Sequence, residues 1–117
     1  MMGAYCRGFD AHNHFDAPVF DGRRSEACRH ARDAGVESWM IAGADPENWG
    51  RLVQCAKQTR GYAVLGIHPW WTMNLDDEQL QTQMSRLEQM TTPWGIGEVG
   101  LDYYRAKTEG QRARQRL

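Results

Sequence analysis

No Cys-x-x-Cys pair occurs in this sequence, and its three cysteines, Cys6, Cys28 and Cys55, are odd in number and far apart. A zinc ribbon and a disulfide framework therefore lack support, and a reducing, cytoplasmic setting is expected. No run approaches about 18 apolar residues, and the opening MMGAYCRG has no apolar stretch of signal-peptide length. Neither a membrane span nor export is expected. A surplus of either charge is missing as well. The net charge is −1, which gives the chain as a whole no electrostatic pull toward nucleic acid or membrane. What is present fits a folded domain. Apolar residues make up 41% and charged residues 25%, the balance of a globular protein rather than a disordered one. A length of 117 residues suffices for one domain with a modest core.

Punctuation along the chain is regular. YCRGFDAH reads as a short strand. Ser25 can cap a helix over 26–34 with Ala27, Ala31 and Ala34 on its apolar side, and Gly35 suits its stop. VESWMIA, 36–42, reads as a strand. Asp45, Pro46 and Glu47 form a helix start: a capping acid, proline at the first position, then a carboxylate in the first turn. Trp49, Leu52, Val53 and Ala56 recur at the spacing of one helix face, and Gly61 closes that unit. YAVLGIHP, 62–69, is a third strand. Asn74 or Asp76 opens a helix carrying Leu80, Met84, Leu87 and Met90, with Pro93 as its end, and WGIGEVG, 94–100, is a fourth strand. Strands alternating with helices imply crossover units and a parallel α/β sheet. The strands are apolar without clean alternation, as expected when both faces are covered. Thr108 is a plausible cap for a last helix, which opens near the end of the chain with no stop signal, so a sequence cut short is expected. Its Arg112, Arg114 and Arg116 read as a solvated helix face rather than a nucleic-acid patch.

Histidine is scarce, four in the chain, yet FDAHNHFD puts His12 and His14 two residues apart. On a strand, residues i and i+2 share a face about 6.5–7 Å apart. Two imidazoles placed so can converge on one cation, each offering a nitrogen at about 2.0–2.1 Å. Asp10 would share that face and Asn13 would point away. The alternative is a pair of exposed or hydrogen-bonded histidines at a strand end. In GIGEVGLD, Glu98 sits among Gly95, Gly97 and Gly100, whose small size permits close approach. A carboxylate in an apolar strand is costly to bury unless paired or metal-bound; an exposed strand end is the other possibility. In a parallel barrel or sheet the C-terminal strand ends gather on one rim, so His12, His14 and Glu98 would face a common site. His68, before Pro69, stands at another strand end, as a substrate contact, a supporting group or a backbone-bonded neutral histidine. Asp102 orients a ligand or caps a turn. Asp45 reads as a helix cap. Trp70, Trp71, Tyr103 and Tyr104 follow the same strand ends and read as packing at a barrel mouth, with base stacking as the alternative. His30 is assigned to the surface and the cysteines to small apolar packing.

Four segments together, FDAHNHFD, IAGADPENW, VLGIHPWW and GIGEVGLDYY, resemble in order and spacing the successive motifs of the TatD-type metal-dependent deoxyribonucleases, relatives of the amidohydrolases. The resemblance spans nearly the whole chain. It implies a (β/α)₈ barrel and a hydrolase that cleaves phosphodiester bonds of DNA with one or two divalent metal ions, Mg²⁺, Zn²⁺ or Mn²⁺. It maps metal-ligand roles onto His12, His14 and Glu98, and places His68 and Asp102 in family motifs as candidate substrate residues. Two departures stand out. Trp70 occupies the place where the family usually has a second histidine after the HP pair. The family's later ligands, two further histidines and a distal aspartate, have no counterpart here. A full barrel needs about 250 residues, so the expectation is a single partial domain, 1–117, holding the N-terminal half: four parallel strands with intervening helices. Half a barrel leaves strand edges open, which predicts self-association. The competing expectations are a non-catalytic half-barrel binding module and a related amidohydrolase acting on a small ester or amide.

Overall fold

The structure, a computed structural model, describes residues 7–90 and 94–117. The start of the expected first strand, with Cys6, and the expected helix stop at Pro93 lie outside the described residues. Four strands, β1 (Gly8–Asn13), β2 (Val36–Ala42), β3 (Tyr62–Leu65) and β4 (Gly95–Ile96), form one parallel sheet in the order β1-β2-β3-β4. Neighbours in space are neighbours in sequence. The order never reverses as it does at the switch point of a doubly wound sheet, so the sheet winds one way, as a barrel does.

The connections are helical: α1 (Arg24–Asp33), α2 (Trp49–Thr59), the short α3 (Pro69–Thr72) and α4 (Asp77–Gln89). After β4 comes α5 (Glu109–Gln115). Asp76 caps α4 and Thr108 caps α5, each by a reciprocal box with the glutamine three residues on, Gln79 and Gln111; each box satisfies orphan N–H donors at both ends of the exchange. Asp45 accepts from the Glu47 N–H and starts a 3₁₀ turn, Pro46–Asn48, that leads into α2.

Some expectations need correction. Ser25 lies inside α1, whose N-cap is Arg23 without a side-chain bond. What sets that end is Arg24, whose guanidinium donates to the carbonyls of Phe15 at 2.6 Å and Ala17 at 3.3 Å. On the expected apolar side of α1, Ala27 and Ala31 are half-buried and Ala31 packs against the core, but Ala34 is exposed, and Cys28 is the residue fully buried there. Helix α2 ends on Arg60 in the left-handed conformation, φ 58°, not on Gly61. Gly61 has a different job, because a Cβ there would overlap the Trp39 indole. The third and fourth strands are shorter than expected, because pairing stops at Leu65 and Ile96. Helix α3 was missed altogether; four residues are too few for a periodic signal.

The core lies between the sheet and the helices. Trp39, Ile41, Trp49, Leu52, Leu65 and Leu80 are fully enclosed. Both buried indoles are satisfied, as such groups must be. Trp39 Nε1 donates to Thr59 Oγ1 at 3.0 Å and Trp49 Nε1 to the Gly66 carbonyl at 3.0 Å. Cys28 and Cys55 are free thiols packed in this core, and burial pushes the Cys55 thiol up to about 11. They are packing residues, as expected.

Candidate metal centre

Beyond the last ladder pair, the chain after β4 leaves its neighbour and crosses the sheet. Gly97 N–H donates to the Leu65 carbonyl at 2.9 Å, and Glu98 N–H donates to the Gly43 carbonyl, past the end of β2, at 2.7 Å. The crossing passes directly over Gly66. A Cβ on Gly66 would lie 2.5 Å from the Glu98 carbonyl oxygen and 2.6 Å from the Gly97 carbonyl carbon, so only glycine leaves the room.

That crossing brings Glu98 to the end of β1. Its Oε1 lies 2.7 Å from His12 Nε2 and 3.7 Å from His14 Nε2. The two imidazoles stand edge to face with centroids 5.1 Å apart. One ligand atom from each of His12, His14 and Glu98 lies within 4.8 Å of the others. His14 is further held by Nδ1, 3.0 Å from the Ala42 carbonyl. A carbonyl only accepts, so that nitrogen carries a proton, and in the neutral ring Nε2, on the side of Glu98, is the atom that can bind a cation. Two consecutive carbonyls at the end of β2, Ala42 and Gly43, thus hold the histidine of one edge strand and the glutamate of the other. Two imidazoles, one with its tautomer fixed, and a carboxylate form a donor set that suits a divalent cation such as zinc or a first-row transition metal.

The remaining candidates divide. Asp10 turns back on its own strand, accepting from His12 N–H and Asn13 Nδ2, both at 3.1 Å, and does not join the three. His68 caps α3, its Nδ1 accepting the Trp70 N–H at 3.1 Å. Asp102 caps a turn through the Arg105 N–H at 3.1 Å, and its other oxygen accepts the Trp70 indole N–H at 2.6 Å. Those two bonds, the indole's first, hold its carboxyl below the usual range. The rim aromatics are less packed than expected: Trp70 is 45%, Trp71 41% and Tyr104 84% exposed. Of the last arginines, Arg114 pairs with Asp77 at 3.0 Å and Arg116 with Glu109 at 2.5 Å. His30 is exposed on α1.

Asp16 was not singled out in the sequence. It lines a cavity of about 240 Å³ together with His14, Asp45, Asn48 and Trp71. Its Oδ1 is buried with no hydrogen-bond partner among the described residues, and desolvation pushes its carboxyl above the usual range against the pull of its own backbone N–H, His14, Arg51 and Arg24. The only sequence signal was its place two residues past His14.

Comparison with known proteins gives one answer. A family model described as TatD related DNase matches residues 9–117. The uncharacterized metal-dependent hydrolase YjjV of Escherichia coli K12 is 34% identical over 103 residues, covering 85% of this chain and 39% of that protein. The 3′-5′ ssDNA/RNA exonuclease TatD of Cronobacter turicensis is 31% identical over 98 residues, covering 83% of this chain and 37% of that protein. The crystal structure of YjjV, a TatD homologue, superposes with a TM-score of 0.76 at 32% identity, covering 96% of this chain and 43% of that one. The chain therefore spans about two fifths of the length of the curated relatives it matches, and its four strands are half of a (β/α)₈ barrel.

Proposed function

The chain belongs to the TatD-related DNase family, and on that premise we propose that it contributes a metal-binding half-site to the hydrolysis of phosphodiester bonds in nucleic acid. The observation that carries the reading is the convergence of His12 Nε2 and His14 Nε2 on one Glu98 oxygen, at 2.7 and 3.7 Å. His12, His14 and Glu98 would hold the cation, Mg²⁺, Mn²⁺ or Zn²⁺, one ion or two. When bound, a divalent ion supplies Lewis-acid polarisation of the phosphodiester and activation of water for attack. The chain's own residues do the rest. His14 offers Nε2 because Ala42 holds its other nitrogen. His12 Nε2 stands 2.7 Å from the Glu98 Oε1, so the ligand atoms of the two edge segments already face one point. His68 and Asp102 are the candidate substrate residues, acting through the rim rather than on the reacting phosphorus.

Residues 1–117 form one partial-barrel domain in this reading. A reducing, cytoplasmic compartment suits Cys28 and Cys55, both free thiols. Among the described residues, no helix is long and apolar enough to cross a membrane. The outer edges of β1 and β4, with Phe9, Trp94 and Ile96 exposed, are where self-association would occur; light scattering on the purified chain measures it. A second reading is a module that binds metal without turnover, for which the cluster of His12, His14 and Glu98 would suffice.

The test strips the chain of metal and returns Mg²⁺, Mn²⁺ or Zn²⁺ singly, with labelled single-stranded DNA as substrate. Metal-dependent cleavage that falls by about 100-fold or more, on the scale of losing a principal catalytic interaction, in both His12→Ala and Glu98→Ala supports the hydrolase. Metal binding without cleavage selects the second reading. Cleavage indifferent to both substitutions removes the site.

A further inference from the structure

Trp70 is the residue at which this chain departs most visibly from the family pattern, and the structure treats it unusually. It is 45% exposed, yet its ring is held from several sides. The indole N–H donates to Asp102 at 2.6 Å. The His68 imidazole meets it edge to face with centroids 5.0 Å apart, and its backbone N–H donates to His68 Nδ1. The Arg105 guanidinium lies 4.0 Å from the ring centroid. An exposed indole gains little stability from burial, so fixing one in place at a strand-end rim is the arrangement of a contact surface.

The surroundings continue the pattern. Lys107 lies 4.8 Å from the Tyr104 ring centroid and Arg112 5.1 Å from that of Tyr103. Each of three aromatic rings thus carries a cation. The carboxylates on the same stretch are engaged: Asp102 by Trp70 and Arg105, and Glu109 by Arg116. Aromatic faces interleaved with cations are the chemistry that holds single-stranded nucleic acid, bases on rings and phosphates on charges. The strip also connects to the metal-binding residues. Asp102, which anchors Trp70, is four residues past Glu98, and four residues span at most about 14 Å. Trp71, next to Trp70, shares a cavity with His14.

We propose that Trp70 is a base-stacking residue of a single-stranded nucleic-acid subsite, positioned by Asp102 and His68 and flanked by Arg105, Lys107 and Arg112 as phosphate contacts. The proposal deepens the function above and rests on it for the class of substrate.

The test measures fluorescence anisotropy of a short labelled oligothymidylate and of an abasic strand of equal length, with the whole chain in excess EDTA so that no metal takes part. The chain binds the base-bearing strand about tenfold or more tightly, the scale of one base on one aromatic ring. Trp70→Ala abolishes that preference and leaves abasic binding unchanged; Trp70→Phe keeps most of it. Asp102→Asn weakens the preference in part, by loosening the ring. Arg105→Gln lowers affinity for both strands alike and flattens the salt dependence. An equal preference in wild type and Trp70→Ala overturns the proposal, and so does a wild type that shows no preference or no binding. The metal reading stands or falls elsewhere: its loss appears as unchanged metal affinity in His12→Ala, whatever Trp70 does.

Discussion

The two central strands and the two edge strands of this sheet are built for different ends. Strands β2 and β3 carry Trp39, Ile41 and Leu65, all fully enclosed, and lie between neighbours on both sides. Strands β1 and β4 each have one neighbour and expose Phe9 and Ile96 to 51% and 61%. Yet His12 and His14 come from β1 and its end, and Glu98 from just past β4. Stability is concentrated in the middle, and the chemistry hangs on the edges. Beyond the strand ladders, the ligands are tied to the centre by the carbonyls of Ala42 and Gly43 and by the gap over Gly66. Edge strands are the easiest part of a sheet to move, so such a site depends on the few contacts that tie its edges to the centre.

Substitutions break that contrast in a definite order. Trp39→Ala empties the centre of the core and removes the donor to Thr59; a loss of about 3–5 kcal/mol is expected by chemical denaturation. Gly66→Ala acts on the tie itself. Its Cβ pushes on the Gly97–Glu98 backbone, so a cost of about 1–3 kcal/mol should come with at least about a tenfold drop in metal affinity, the scale of losing a supporting contact. Metal affinity unchanged in a folded Gly66→Ala chain would show that Glu98 does not need the crossing. Asp16→Asn is smaller and pH-dependent. Burial raises the Asp16 carboxyl, so its contribution is fully present below the ordinary carboxylate range and is lost as pH rises through the raised value. Asn should therefore raise the melting temperature at neutral pH, with the gain vanishing in acid; a gain that persists in acid would point to another cause. Ile96→Ser, on the exposed edge, should change stability by no more than about 0.5 kcal/mol.

Much of this was legible before any coordinates, and the exceptions share a cause. Strand β2 was bounded correctly because its apolar run is flanked by Gly35 and Gly43. The caps at Asp45 and Thr108 announced themselves, and Asp76 stood with Asn74 as one of two candidates, because capping is a local bond between residues three apart or fewer. Alternation of strand and helix led to a parallel sheet, since only a crossover can join parallel neighbours. Long-range contacts wrote no local signal. Arg24 starts α1 by reaching back to Phe15 and Ala17, so the local rule pointed to Ser25 instead. Gly61 looked like a helix stop, and its lack of a side chain serves Trp39. Gly66, which opens the path for Glu98, was one glycine among twelve. The grouping of His12, His14 and Glu98 was anticipated from strand-end geometry, but Ala42 and Gly43, which hold it, contribute backbone carbonyls that every residue has. Asp16 escaped notice because its unpaired oxygen depends on neighbours far along the chain.

Cobalt titration of the metal-free chain, followed by its visible d–d absorption, addresses the shared cation most directly. Wild type should saturate with one ion, and the spectrum should be lost or grossly altered in His12→Ala, His14→Ala and Glu98→Gln alike, with melting temperatures close to wild type. An identical spectrum and affinity in all three variants would contradict a centre shared between the two edges of the sheet.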